Sequence, residues 1–344
     1  MFRDPRASSA KTLIQKLKEK VLSGGEISYQ EALSLAAIRA VDDLDFLRSS
    51  AHELTLHFKD SRPDLCALIN AKSYLCGEDC KFCSQSAKYD TGVQRYPMMS
   101  PEKIVEAAKR CEENGARNFC VVTSGETLSA GEFEQVRKTF QLLSEETGLG
   151  IDGSLGNLTE EQISELKKVG LRRFNHNLQC SREFYPEIVS THTYDERMET
   201  LDFLKKNDVE ICSGGIFGMG ESPEDRLKLA FELKRYAPHC FPVNILNPRP
   251  GTPLAGQPPI DPAEAIKMIA TYRFIHPHAN IKLAGGKELN LGIFFLEKAL
   301  KGGANGLVVG GYLTTCGNPI AEDFALLKRA GYIVEREAAV AQTA

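Results

Sequence analysis

From residue 64 to about residue 330, short β-rich runs alternate eight times with amphipathic helical stretches, and this alternation constrains the fold more than any other feature. Strands are expected to begin near Leu65, Asn118, Gly150, Arg172, Val209, Cys240, Asn280 and Asn305. The helices between them carry start signals of their own: Ser100-Pro101-Glu102, a capping box from Thr159 to Gln162, Ser222-Pro223-Glu224-Asp225, and Asp261-Pro262. Strands joined through helices run parallel, because each crossover returns the chain to the same edge of the sheet. Eight such units predict an α/β fold, a (β/α)8 barrel of the TIM type, with its active site at the carboxyl ends of the strands. Residues 10 to about 58 carry helical periodicity in three pieces and are expected to pack outside the barrel. The chain therefore divides into an N-terminal helical extension (1–60), the barrel (61–332) and a C-terminal tail (333–344), frayed from Glu337 onward.

Directly after the first strand comes Cys76-Gly-Glu-Asp-Cys80-Lys-Phe-Cys83, three thiols within eight residues. One loop at this spacing can wrap a metal centre but supplies only three ligands, whereas a zinc site or a simple ferredoxin cluster takes four. A 4Fe-4S cluster held this way keeps one iron open for a small molecule. The alternative is a zinc knuckle or a set of buried free thiols. Ten cysteines in a chain with no signal-peptide core after Met-Phe-Arg-Asp-Pro-Arg are expected to be thiols and ligands in a cytoplasmic protein, not disulfides.

The Cys-x3-Cys-x2-Cys run, with Phe82 before its last cysteine, resembles the cluster loop of the radical S-adenosylmethionine superfamily. The resemblance implies that the open iron chelates S-adenosylmethionine, and that its reductive cleavage yields a 5′-deoxyadenosyl radical that takes hydrogen from an unactivated carbon. Thr123-Ser124-Gly-Glu126 resembles the turn that receives the methionine amino group. Gly214-Gly-Ile216-Phe-Gly-Met-Gly-Glu221 fits the adenine-contacting pattern, in which glycines let backbone approach the ligand and Ile216 faces the base.

The fourth strand ends in Asn175-His-Asn177-Leu-Gln179, and neutral amides at a barrel mouth suit a neutral, doubly hydrogen-bonding substrate such as a cyclic urea. With Asn70-Ala-Lys-Ser73, Thr193-Tyr-Asp-Glu-Arg197, Cys212-Ser-Gly-Gly, Pro242-Val-Asn244, Gly251-Thr-Pro-Leu and Tyr312-Leu-Thr-Thr315, the chain is similar to the biotin synthase family over residues 60–330. The resemblance implies insertion of sulfur into dethiobiotin. Asn175, Asn177 and Asn244 would hold the ureido ring, and Asn177, Gln179 and Arg197 would face the cofactor. Gln179 replaces the family's usual acidic residue, which alters its ribose contact. A flavodoxin or ferredoxin as electron donor and a homodimer are implied in the same way.

Well-known members hold a second, 2Fe-2S cluster on three cysteines and an arginine. Here Cys120 and Cys212 match, but the third cysteine position reads Asp152 and the arginine position Lys282, whose ammonium has no lone pair to donate. Side chains an even number of residues apart on a strand share a face. Stepping back four from the mouth positions Asn70, Ser124, Ile216 and Asn244 gives Cys66, Cys120, Cys212 and Cys240, four thiols at one depth. Cys66 and Cys240 are either new cluster ligands or small buried hydrophobes. This resembles an anaerobe-associated branch of the family with a 4Fe-5S auxiliary cluster, favoured over 2Fe-2S, in which Lys282 balances cluster charge and Asp152 pairs with Lys282. Cys180 and Cys316 are secondary candidates at the mouth, and Cys111 is a structural residue on an outer helix.

A net charge of −4 gives no broad basic field for nucleic acid, and no apolar run of about 18 residues spans a bilayer. Other readings remain: a related barrel acting as a mutase or cofactor maturase, or a non-enzymatic iron-sulfur electron carrier.

Overall fold

The computed structural model describes residues 5–73, 76–310, 313 and 318–334. Nine parallel segments form the barrel: β1 Asp64–Lys72, β2 Asn118–Thr123, β3 Gly150–Ser154, β4 Leu171–Asn175, β5 Glu210–Cys212, β6 Gly215–Phe217, β7 Cys240–Ile245, β8 Asn280–Leu283 and β9 Gly306–Val308. Their order is β5-β4-β3-β2-β1-β9-β8-β7-β6, and a β5–β7 pairing at Cys212 and Cys240 closes the ring. Because β5 and β6 are two halves of one strand, the barrel has the eight strand positions expected from the sequence.

The fifth strand breaks at Ser213-Gly214 because two strands come too close there for a side chain. A Cβ on Gly214 would sit 2.0 Å from the Pro242 carbonyl oxygen, and one on Gly215 would sit 2.4 Å from that of Gln179. These glycines thus admit neighbouring protein backbone.

The capping box at Thr159 forms as expected, the start signal at Ser222 also closes into a capping box with Asp225, and Asp261 caps its helix through the Ala263 N–H. Ser100 caps nothing with its hydroxyl, and Pro101 opens that helix alone. Three helices precede the barrel: α1 Pro5–Leu22, α2 Tyr29–Ala36 and α3 Val41–Lys59. All three pack on the barrel helix Pro262–Ile275, which explains why that helix is buried on every side from Ala265 to Ile275. Among the described residues, no helix is long and apolar enough to cross a membrane. Cys316, the Tyr312-to-Thr315 motif apart from Leu313, and the tail from residue 335 lie outside the described residues.

Candidate active site

A cavity of about 330 Å³ opens at the carboxyl ends of the strands. Cys76, Cys80 and Cys83 line one wall, together with Phe82, Ser124, Asn175, Asn177, Gln179, Arg197, Ile216 and Asn244. Deeper in, Cys66, Cys120, Asp152, Cys212 and Lys282 face the same space. Glu126 is not brought in: its side chain is exposed, and only its carbonyl is used, by the Asn157 N–H at 2.6 Å.

The cysteine loop is closed by main-chain bonds from Ala87 N–H to the Cys76 carbonyl (2.8 Å) and from Cys83 N–H to the Cys80 carbonyl (2.9 Å). The acidic residues between its thiols turn away from the cavity toward the segment Ile188–Thr193. Asp79 accepts from the N–H groups of Ser190 (2.8 Å) and Thr191 (3.2 Å) and from the Ser190 hydroxyl, and these bonds outweigh burial to hold its carboxyl well below the usual range. Glu78 accepts from the Thr191 hydroxyl and lies 2.6 Å from His192 Nδ1. Inside the loop, burial and the neighbouring thiolates push Cys80 far up, and burial pushes Cys83 up to about 11. Three thiols on one loop, with Cys80 and Cys83 resisting ionisation by themselves, are a fit for a cationic iron-sulfur centre, which makes thiolates favourable. Among the described residues, no three Cys, His, Asp or Glu side chains already converge on a position for a single metal ion.

The four inner thiols form two pairs, not an even ring. Cys66 and Cys120 pack together with Val122 on adjacent strands, and burial pushes Cys66 up to about 12. Cys212 and Cys240 are register partners, and Cys240 lies fully buried beside Cys212, off the cavity surface. A hydrogen bond from the Cys212 thiol and the nearby Lys282 ammonium overcome burial and lower Cys240 to about 7, while Cys212, holding the shared proton, rises.

Below the thiols lies a buried charged floor. Lys282 Nζ is 2.9 Å from Asp64, Asp64 is 3.1 Å from Arg173, and Arg173 is 3.2 Å from Asp152. Burial alone would raise the Asp64 carboxyl, but the two cations hold it far below the usual range. The expected Asp152–Lys282 pair is therefore replaced. Lys282 and Asp64 both lie beside Gly306 on β9, where the absence of a side chain lets them meet, while Asp152 and Arg173 are direct partners on β3 and β4. Asp64 and Arg173 were missed in the sequence although each sits two residues before a residue singled out there, Cys66 and Asn175, and so shares its face.

The polar wall is incompletely satisfied from within. Asn175 Oδ1, Gln179 Oε1, His176 Nε2 and Thr123 Oγ1 are buried with no partner among the described residues. His176 was not singled out from the sequence, and its burial holds its pKa well below the ordinary value. Gln179 sits at φ 71°, a strained left-handed conformation for a residue with a side chain. Asn177 Oδ1 accepts from Gly214 N–H (3.1 Å), and the Asn177 carbonyl accepts from Arg197 Nε (2.7 Å). Asn244 is already bonded at both ends of its amide, to the Gly215 carbonyl (3.1 Å) and the Gly285 N–H (2.9 Å). Cys180 is buried but does not line the cavity, and Cys111 is half-buried on the helix Pro101–Glu113.

The Radical SAM superfamily model matches residues 70–233, and the Biotin and Thiamin Synthesis associated domain matches residues 242–333. A biotin synthase of Pelotomaculum thermopropionicum is 42% identical across 92% of this chain and 98% of its own length. The chain belongs to the biotin synthase family. A second family member, from Clostridium tetani, is 40% identical across 93% of the chain and 98% of its own length. Among solved structures, methylornithine synthase shares the fold (TM-score 0.81, 21% identity, 94% of this chain and 98% of that one). So does an FeFe-hydrogenase maturase of Carboxydothermus hydrogenoformans (TM-score 0.79, 18% identity, 94% and 80%). Against the roughly twofold higher identity to biotin synthases, these two likenesses speak for the barrel alone.

Proposed function

We propose that this chain, a sulfurtransferase of the radical S-adenosylmethionine type, converts dethiobiotin to biotin with two iron-sulfur centres. Cys76, Cys80 and Cys83 would hold a 4Fe-4S cluster, and Cys66, Cys120, Cys212 and Cys240 an auxiliary cluster, 4Fe-5S in preference to 2Fe-2S. When bound, these groups and S-adenosylmethionine supply the electron, the hydrogen abstraction and the sulfur. The observation that carries the reading is the coincidence of four thiols from β1, β2, β5 and β7 with the Asp64–Arg173–Asp152–Lys282 floor. Lys282 and Arg173 would offset anionic cluster charge, and Asp64 keeps both cations aimed at that level. Lys282 serves as a charge and not as a ligand, since its ammonium is held protonated by Asp64 against the effect of burial.

Asn175, Asn177 and Asn244 would receive the ureido ring, with the unpartnered Asn175 Oδ1 best supported and Asn244 acting through its remaining N–H and lone pair. Ser124, Ile216, Asn177, Gln179, Arg197 and Phe82 would surround the cofactor, whereas the exposed side chain of Glu126 gives it no such part. A flavodoxin or ferredoxin donor, a homodimer, a cytoplasmic location and the division at residues 60 and 332 belong to the same proposal.

The test is Cys240→Ser in anaerobically reconstituted protein. Auxiliary iron and biotin formation should be lost, while dethiobiotin-dependent release of 5′-deoxyadenosine persists. Full auxiliary iron in this variant would show that Cys240 is a buried thiol and nothing more.

A further inference from the structure

Among the described residues, three cations line the cavity, Arg197, Arg249 and Lys282. Lys282 is paired with Asp64 on the buried floor. Arg197 donates Nε to the Asn177 carbonyl, and its charge acts on the Cys80 thiol, so it lies on the cluster-loop side of the mouth. Arg249 follows β7, on another part of the rim. It is half-buried, and its guanidinium has no hydrogen-bond or ion-pair partner among the described residues; only its carbonyl is used, by the Thr252 N–H (3.1 Å) and hydroxyl (2.8 Å).

The loop that presents Arg249 is fixed in place. A Cβ on Gly251 would lie 1.9 Å from the Asp90 carbonyl oxygen, so the loop is pressed against the chain that leaves the cysteine loop. The cavity wall also carries the aliphatic side chains Ile245, Leu246, Val308 and Leu313, with the amide of Asn247 between Leu246 and Arg249 along the chain. The cavity thus combines amides, aliphatic side chains and an uncompensated guanidinium.

A guanidinium removed from bulk water without a counter-ion is costly, and its planar fork suits a carboxylate. Two ligands of the proposed reaction each bring one carboxylate, the methionine part of the cofactor and the alkyl chain of the substrate. Arg197, beside Cys80, is placed for the first. We infer that Arg249 seats the carboxylate of an alkyl-chain acid, with the aliphatic wall accepting the chain. The inference rests on the dethiobiotin reading above and adds to it the residue that selects the acid over neutral analogues.

The test compares dethiobiotin with its methyl ester on anaerobically reconstituted protein containing S-adenosylmethionine, in the natural chain, Arg249→Met and Arg249→Lys. The natural chain should bind the acid more tightly than the ester. In Arg249→Met the affinity for the acid should fall by about 10- to 100-fold, the worth of a hydrogen-bonded charge, while ester affinity stays unchanged. Arg249→Lys, which keeps a point charge, should recover part of the loss. Unchanged ester affinity also shows that the variant is folded. An acid-over-ester preference that survives in Arg249→Met, or a loss that falls on S-adenosylmethionine affinity instead, overturns the assignment while leaving dethiobiotin as substrate. Binding of neither acid nor ester by the natural chain overturns both.

Discussion

At Gly306 the barrel wall carries no side chain, and through that gap Lys282 and Asp64 reach each other from strands that flank β9. Asp64 then also holds Arg173, so a single buried carboxylate keeps two cations beneath the thiols. Removing its charge should leave Lys282 uncompensated and Arg173 held by Asp152 alone, and breaking a buried pair costs far more than the pair contributes over an apolar replacement. Asp64→Asn is therefore expected to destabilise the metal-free protein by about 3 to 5 kcal/mol, seen as a lowered thermal midpoint. An unchanged midpoint would mean that water or another group already compensates Lys282. Strand parity in the sequence was enough to place Cys66, Cys120 and Cys212 on the inner face. It could not give the pairing, because parity tells which face a side chain takes and not which neighbour it meets around a staggered barrel. Cys240 shows the same limit: its depth was legible, but its pairing with Cys212 depends on the β5–β7 closure that only the folded ring supplies.

At the scale of elements, the segment Ile188–Thr193 ties together two parts of the mouth. It grips the cysteine loop through Asp79, Glu78 and Lys81, whose N–H donates to the Ile188 carbonyl at 2.9 Å, and it continues into the helix Tyr194–Lys206 that bears Arg197. Thr193 caps that helix through the Glu196 N–H. All three grips act on residues that lie between the thiols, so the loop's shape is set from outside the cavity. Asp79→Ala removes a carboxylate that accepts from two main-chain N–H groups and one hydroxyl. Loss of iron from the reconstituted Cys76-Cys80-Cys83 centre to a chelator should become roughly tenfold faster, the equivalent of one charge-assisted hydrogen bond, with the far-UV circular dichroism unaltered. Release at the natural rate would assign the grip to Glu78 and His192. None of this clasp was readable beforehand, because its two halves lie more than a hundred residues apart and neither has a local pattern of its own.

Across the whole molecule, the N-terminal helices and the barrel are one packed body, joined over the helix Pro262–Ile275. That helix runs into His276, fully enclosed, with Nε2 2.8 Å from the Ala230 carbonyl oxygen. Burial dominates the main-chain hydrogen bond, and the imidazole's pKa is lowered from 6.5 to about 4. Above pH 6.5 the ring is neutral in folded and unfolded chain alike, and its contribution is fully present. As pH falls from 6.5 toward 4, the unfolded chain takes up a proton that the folded chain refuses, so each pH unit weakens folding by up to about 1.4 kcal/mol. Asp323 works in the opposite sense: burial raises its carboxyl to about 6, so the stability it confers is present at low pH and lost as pH rises through 6. The two effects overlap, and only a difference between variants separates them. His276→Gln keeps a donor for the Ala230 carbonyl and cannot titrate. Between pH 7.5 and pH 5.5 the thermal midpoint of the natural chain should therefore fall further than that of His276→Gln. Equal falls would mean that the acid sensitivity arises elsewhere, with the buried His176 on the cavity wall the next group to replace, since its pKa is lowered by burial in the same direction.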